Sequence, residues 1–227
     1  MTKQVYSVAI DGPAGAGKST IARRAAADLG FVYMDTGAIY RTVAYAVLAS
    51  GMDPKDSDSV TRFLSTITII PTWDETGVQH MLLNGEDVTA FIRSPEVSQN
   101  ASVVAAIPMV RDFLLETQRS VAREYSVIMD GRDIGTVVLP NADVKIYLTA
   151  SAEVRANRRW LELQAKNAPD TYEQVLEEMI QRDLRDTRRE VAPLRQAEDA
   201  ILLDTSHMNL EESITAVITL VREAVGS

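Results

Sequence analysis

Short apolar runs alternate with longer amphipathic stretches along most of this 227-residue chain. Five runs rich in β-branched or aliphatic residues are typical of buried parallel strands. They lie at residues 5–10, 31–34, 126–129, 144–148 and 201–203. The stretches between them carry apolar side chains at every third or fourth position, as in a helix packed on one face. Strands that alternate with helices predict an α/β fold with a parallel sheet covered on both sides.

Residues 66–89 depart from this alternation. A β-branched run at 66–70 is followed by a turn cluster at 74–77, and an apolar run at 81–83 leads into Asn84-Gly85. Asn-Gly between extended runs favours a two-residue hairpin turn. We therefore predict a small antiparallel insert within the α/β domain.

The turn after the first predicted strand reads G-P-A-G-A-G-K-S and fits the phosphate-binding pattern G-x-x-x-x-G-K-[ST]. Its glycines permit positive φ and bring backbone N–H groups close to an anion. Lys18 would place its charge on the β- and γ-phosphates, and the Ser19 hydroxyl would bind Mg²⁺. A helix that begins at Lys18 would point its free N–H groups at the phosphate. The residues predicted to bind the nucleoside triphosphate are Gly12, Pro13, Ala14, Gly15, Ala16, Gly17, Lys18, Ser19 and Thr20.

The composition narrows the class of partner. A formal net charge of −9 argues against a nucleic-acid polymer or an anionic membrane as the main partner. Cysteine is absent from the sequence, which excludes disulfides and thiolate metal sites. The N-terminus enters a predicted strand directly and no apolar run reaches the length of a membrane span, so we expect a cytoplasmic protein.

Arginine is concentrated in one part of this acidic chain. The eight arginines of this part are Arg155, Arg158, Arg159, Arg182, Arg185, Arg188, Arg189 and Arg195. One interpretation is a pair of solvated helices, at 152–166 and 172–187, that are laced with glutamate–arginine pairs. The other is a mobile lid that brings cations to the transferring phosphoryl group while excluding water.

Asp130 closes the third predicted strand and is followed by Gly131-Arg132-Asp133. Its position is like that of the acidic residue that helps to hold Mg²⁺ in phosphate-loop proteins. A residue that caps a helix or forms a turn would occupy the same place. The sequence leaves both roles of Asp130 open.

Several motifs together resemble those of the bacterial cytidylate kinases. They are I-D-G-P-A-G-A-G-K-S at 10–19, D-T-G-A-I-Y-R at 35–41, D-G-R-D-I-G-T at 130–136, and R-D-x-R-D-x-x-R at 182–189 with A-P-L at 192–194. The resemblance covers essentially the whole chain. It implies the fold of the nucleoside monophosphate kinases: five parallel strands in the order 2-3-1-4-5, a β-rich acceptor-binding insert and a helical lid.

The same resemblance implies one domain over residues 1–227. Its core would comprise about 1–50, 104–150 and 188–227, its insert about 51–103 and its lid about 151–187. The implied activity is phosphoryl transfer from ATP to CMP or dCMP, with Mg²⁺, by a monomeric enzyme of pyrimidine nucleotide metabolism.

Roles for individual residues follow from the resemblance as well. Thr36, Arg41, Arg132 and Arg189 would contact the phosphate of the acceptor; Ser102, Arg111 and Asp133 would read cytosine; Arg182 and Asp186 would reach the sugar; Arg155, Arg158 and Arg159 would belong to the lid. The expected catalytic residues are Lys18, Arg132, Arg158 and Arg189. Ser19 would bind Mg²⁺, with Asp130 acting through a water molecule.

Two other functions remain as alternatives at this point. One is a different phosphate-loop kinase of small molecules, acting on another nucleoside monophosphate or on shikimate. The other is a nucleotide-switched binding protein, although the Asn-Lys-x-Asp signature expected of a GTPase does not occur in the sequence.

Overall fold

A computed structural model describes residues 5–226 of the chain. The strands are β1 (Ser7–Asp11), β2 (Val32–Asp35), β3 (Ile69–Trp73), β4 (Gln79–Leu83), β5 (Glu86–Asp87), β6 (Val127–Gly131), β7 (Val144–Thr149) and β8 (Ile201–Asp204). The helices are α1 (Lys18–Leu29), α2 (Thr36–Ala49), α3 (Ser57–Leu64), α4 (Pro95–Val104), α5 (Pro108–Glu124), α6 (Ala152–Gln164), α7 (Tyr172–Thr187) and α8 (Leu210–Val225). A π-helical turn, Ile134–Val138, follows β6.

The central sheet has five strands in the order β2-β6-β1-β7-β8. Numbered within this sheet alone, the strands follow the order 2-3-1-4-5. β1 pairs in parallel with β7, and β7 pairs in parallel with β8. The predicted α/β class with a five-stranded parallel sheet is confirmed.

The described residues form two compact units. One consists of Val5 and Val32–Val127, and the other of residues 6–31 and 128–226. In the second unit, Ile10 of β1, Ile146 and Leu148 of β7 and Ile128 of β6 are almost entirely buried. Helices α1 and α8 pack on each other, as do α6 and α7.

The first unit contains the predicted antiparallel insert. β3, β4 and β5 form a three-stranded sheet in that order, with Trp73 opposite Gln79. Asn84 and Gly85 join β4 to β5 and both have positive φ, as a type I′ hairpin turn requires. The insert strand predicted at 66–70 is displaced, because the observed strand begins at Ile69 and continues to Trp73.

The charged helices agree closely with their predicted ranges. α7 spans the predicted residues, and α6 ends two residues before its predicted end. A capping box in which Thr171 and Gln174 exchange hydrogen bonds begins α7. No helix within residues 5–226 is long and apolar enough to cross a membrane.

Candidate active site

The phosphate-binding loop joins β1 to α1. Gly12 has a φ of +149°, and a Cβ at this position would lie 1.9 Å from the carbonyl oxygen of Leu148 in β7. Only glycine therefore fits between the start of the loop and the neighbouring strand. Gly17 has a φ of +88° and immediately precedes α1. The free N–H groups in the first turn of α1 are suited to bind an anion.

Lys18 is buried at the start of α1. Its Nζ donates a hydrogen bond to the carbonyl oxygen of Pro13 at 2.7 Å, so the ammonium group is held against the loop. Burial lowers the pKa of Lys18 well below its usual value, and the nearby charge of Arg132 acts in the same direction. A phosphate in the loop would favour the charged form of this lysine.

Ser19 and Asp130 lie side by side beneath the loop. The Ser19 hydroxyl donates a hydrogen bond to Asp130 Oδ2 at 2.8 Å, and Asp130 is almost fully buried at the end of β6. Hydroxyl and carboxylate oxygens are ligands that Mg²⁺ accepts, usually together with water and substrate phosphates. Residues 5–226 contain no cluster of three or more His, Cys, Asp or Glu side chains that could hold a metal ion. The Ser19 hydroxyl and the Asp130 carboxylate are two oxygen groups of the kind that Mg²⁺ accepts.

Arg132, Asp186 and Arg189 are brought together, although 54 residues separate the first two. Arg132 Nε donates to Asp186 Oδ2 at 2.7 Å, and Arg189 Nε donates to the Asp186 carbonyl oxygen at 3.4 Å. Burial raises the pKa of Asp186, but Arg132, Arg189 and Arg182 together outweigh burial and leave that pKa below its usual value. Arg182 is on α7, one turn before Asp186, and its charge contributes to lowering the pKa of Lys18.

The three arginines of α6 lie in three different environments. Arg155 is buried and donates to the Ala150 and Ala14 carbonyl oxygens, at 2.9 and 2.8 Å, and to Asp183 Oδ2 of α7 at 2.6 Å. Arg158 donates to the carbonyl oxygen of Thr205 at 2.8 Å, in the segment that follows β8. Arg159 is exposed and pairs with Glu162 on its own helix.

In the first unit, Asp35 organises the beginning of α2. Its Oδ1 accepts the Ala38 N–H at 3.0 Å and caps the helix, while its Oδ2 accepts Nη2 of Arg41 at 2.7 Å and Nη2 of Arg93 at 3.3 Å. Thr36 is the first residue of α2 and is buried. Arg41 is thus held by an acidic partner at the helix end where Thr36 lies.

The two residues predicted to read the base from this unit lie on α4 and α5. Arg111 is buried on α5; it donates to the Ala105 carbonyl oxygen at 3.1 Å, and its guanidinium carbon lies 5.4 Å from the centre of the Tyr40 ring. Ser102 is half-buried on α4. Asp133, the third predicted base-reading residue, belongs to the second unit, where it is buried just before the π-helical turn.

No role follows from the sequence for several residues that shape these two regions, although Asp11 and Asp35 lie within the motifs at 10–19 and 35–41. Asp11 and Asp35 end β1 and β2, and each accepts backbone N–H groups with its carboxylate. Gln79 of β4 accepts the Asp35 N–H at 2.7 Å and so attaches the insert to β2. The two aspartates carried a signal, because each follows an apolar strand and precedes a predicted helix or loop. Gln79 carried none.

A glycine-rich loop between a buried parallel strand and a helix, with a lysine and a serine at the helix start, defines a P-loop nucleotide-binding protein. A model of the family "Cytidylate kinase" matches residues 8–223, and the chain belongs to this family.

Curated relatives support the assignment over nearly their full length. The chain is 49% identical to a cytidylate kinase of an Exiguobacterium species, over 97% of this chain and 98% of the relative. It is 50% identical to a cytidylate kinase of Carboxydothermus hydrogenoformans, over 94% of this chain and 96% of the relative. Among solved structures, an uncharacterized protein from Eubacterium ventriosum superposes with a TM-score of 0.50 at 12% identity, covering 97% of this chain and 99% of that one, which shows a shared fold only.

Proposed function

We propose that this enzyme transfers the γ-phosphoryl group of ATP to CMP or dCMP and releases ADP and CDP or dCDP. The observation that carries the proposal is an intact phosphate-binding loop in a chain whose family match spans residues 8–223. Phosphoryl transfer needs little covalent chemistry from the protein, which must mainly position two anionic substrates and neutralise their charge. We therefore assign no general base.

The loop and its neighbours form the proposed donor site. The backbone of residues 12–20 binds the phosphates of ATP, and the buried Lys18 ammonium accompanies the transferring group. Ser19, with Asp130 through a water molecule, would hold Mg²⁺, which when bound neutralises phosphate charge. The support for this assignment is the 2.8 Å contact of the two side chains beside the loop.

The proposed acceptor residues divide by chemistry. Arg132, Arg189, Arg41 and Thr36 bind the phosphate of CMP, because planar guanidinium groups match the oxygens of a phosphate and hydroxyls donate to them. Ser102, Arg111 and Asp133 read cytosine, and Arg182 and Asp186 bind the sugar. Arg158 is proposed to join the catalytic arginines, for which it must leave the Thr205 carbonyl oxygen. The monomeric state and the cytoplasmic location stay predictions.

Base selection gives the sharpest test of the proposed substrate. Cytosine presents an exocyclic N4–H₂ donor where uracil presents an O4 acceptor, and a carboxylate suits the donor. If a buried carboxylate accepts from N4 of CMP, the same carboxylate faces the O4 acceptor of UMP and is left without its hydrogen bond. A site built for the bond to N4 therefore rejects UMP strongly. We expect kcat/KM for CMP to exceed that for UMP by at least about 10², equivalent to ~2.7 kcal/mol.

Steady-state kinetics of the wild type and of Asp133→Ala on both nucleotides provide the measurement. The Asp133→Ala variant should lose far more activity with CMP than with UMP, so the ratio narrows. Asp143→Ala, which changes an exposed aspartate in the turn before β7, is the matched control and should keep the wild-type ratio. An unchanged ratio in Asp133→Ala removes this residue from base recognition. ATP consumption that needs no monophosphate acceptor would overturn the kinase assignment itself.

A further inference from the structure

Asp11 is a buried carboxylate to which none of the proposed roles has been given. It is the last residue of β1, it immediately precedes Gly12, and its side chain is almost fully buried. Its Oδ1 accepts the Ile134 N–H at 2.8 Å, and its Oδ2 accepts the Gly135 N–H at 2.7 Å. One carboxylate therefore uses both oxygens on two successive backbone amides that lie more than 120 residues away along the chain.

These two amides open the π-helical turn Ile134–Val138. The first N–H groups of a helical segment have no partner inside it and need an acceptor from outside. The usual acceptor is a side chain on the residue just before the segment, but Asp133 occupies that position and makes no such bond. Asp11 of β1 supplies the acceptors instead, so the turn is capped by a neighbouring strand.

The turn packs directly on this carboxylate. A Cβ placed on Gly135 would lie 3.4 Å from Asp11 Oδ2 and 3.2 Å from Cδ of Lys145, so the space around the two bonds is filled. π-Helical turns are rare, and they are found frequently at functional sites. The side chains that immediately precede this turn are those of Arg132 and Asp133.

Asp11 thus joins two segments with separate proposed tasks. On the C-terminal side of Asp11 the chain continues into the phosphate-binding loop. The Asp11 side chain holds the segment that presents Arg132 and Asp133. A neutral acceptor would suffice for capping alone, whereas burial of a carboxylate carries a desolvation cost. Burial raises the pKa of Asp11 to about 6 although both amides act against it. The amides gain stronger, charge-assisted bonds from the ionised form.

We propose that Asp11 is a positioning residue that fixes Arg132 and Asp133 relative to the phosphate-binding loop, and so sets the binding of the nucleoside monophosphate. This inference rests on the proposed function, since Arg132 and Asp133 receive their tasks from it. Asp11 itself has no contact with substrate in the proposed complex. Its action passes through the two amides of the π-helical turn.

The test is Asp11→Asn, which keeps the size of the side chain but replaces one acceptor oxygen by an NH₂ donor. One of the two amides then faces a donor and stays buried without a partner. We expect KM for CMP to rise at least about tenfold while KM for ATP changes by less than about twofold, because the loop keeps its own amides. Hydrogen exchange of the Ile134 and Gly135 amides in the ligand-free protein should become faster.

Asp143→Asn is the matched control. Asp143 also accepts a backbone N–H, that of Ser7 at 2.7 Å, but at the opposite end of β1. It should leave both KM values unchanged. If Asp11→Asn does not fold, Asp11→Glu keeps the charge and moves the carboxylate by one methylene, and it should show the same selective rise in KM for CMP.

The outcomes separate the inference from the proposed function. A wild-type protein that does not phosphorylate CMP overturns the proposed function, and the amide exchange rates still report whether Asp11 holds the turn. A wild type that phosphorylates CMP, with variants that keep the wild-type KM for CMP, overturns the positioning role. An equal rise in both KM values also overturns it, because that result indicates a general disturbance of the fold.

Discussion

The phosphate-binding loop and the arginine-bearing helices α6 and α7 both place cations in the second unit, but they hold them in different ways. In the loop, backbone conformation fixes the groups: Gly12 fits only without a side chain, and Lys18 is buried against a carbonyl oxygen of the loop itself. At the helices, side-chain partners fix the cations: Arg155 of α6 binds Asp183 of α7, and Asp186 of α7 binds Arg132, which follows β6.

The phosphate-binding loop is therefore a preformed site, whereas the arginines at helices α6 and α7 are paired with carboxylates. Fixed donors and dipoles stabilise developing charge without reorganisation at the moment of reaction. Arginines that already pair with carboxylates must exchange a partner, or share it, before they can bind a phosphate. We infer that the loop contributes through its fixed geometry and the helices through a change of conformation when substrates bind.

The largest effect should come from the loop. Replacing Lys18 by alanine removes the charge that accompanies the transferring phosphoryl group, and we expect kcat to fall about 10²–10³-fold, roughly 2.7–4 kcal/mol. The fold should persist, because α1 keeps its packing on α8. Steady-state kinetics together with circular dichroism provide the measurement.

Lys145→Ala is the control for the loss of a buried lysine. Its Nζ also donates to the carbonyl oxygen of a proline five residues earlier, Pro140 at 2.6 Å, and it pairs with Asp199. This variant should lose stability but keep kcat close to that of the wild type. A folded Lys18→Ala protein with normal kcat would show that the loop is not the donor site.

A smaller effect, on the pH dependence of the free energy of unfolding, should distinguish a carboxylate held by backbone amides from one held by arginines. The pKa of Asp11 is raised to about 6, whereas that of Asp186 is lowered. In the native state Asp11 binds its proton more tightly than in the unfolded state, so its contribution to stability falls as pH rises towards and through 6. Relative to Asp11→Asn, the wild type should lose about 2 kcal/mol of unfolding free energy between pH 4.5 and 7.

Asp186→Asn should behave in the opposite way. Because its native pKa lies below the unfolded value, the Asp186 carboxylate contributes fully above about pH 4 and loses its contribution only at lower pH. The difference in unfolding free energy between wild type and Asp186→Asn should therefore stay constant from pH 4.5 to 7. Urea unfolding at a series of pH values measures both differences. If the difference in unfolding free energy from the wild type depended on pH in the same way for both variants, the contrast between Asp11 and Asp186 would be wrong.

The loop could be predicted from the sequence because its chemistry is carried by contiguous residues. Gly12, Gly17, Lys18 and Ser19 meet the requirements of a phosphate site within eight positions, and the flanking strand and helix have the expected periodicity. The hairpin at Asn84-Gly85 could be predicted for the same reason, since it depends on local pattern. The order of the strands followed only from the family resemblance.

The partners of the arginines could not be predicted, because they depend on contacts between distant segments. Nothing in the sequence indicates that Arg155 donates to Ala14, 141 residues away, or that Arg158 donates to Thr205. Asp11 was missed for a related reason: a single aspartate at a strand end has many uses, and only folding brings the Ile134 and Gly135 amides to it.

The smallest expected effect concerns the motion of the arginine-bearing helices. If α6 and α7 exchange partners and close over substrates, their amides should exchange more slowly once CMP and a non-hydrolysable ATP analogue are bound. We expect at least about tenfold slower exchange somewhere within residues 152–187, since ligands that bind the closed form stabilise it. Helix α8 belongs to the same unit and packs on α1, so it serves as the internal control and should change little. Protection that appears in the loop but nowhere in 152–187 would show that these helices are a fixed wall, and that their arginines act from the positions they already occupy.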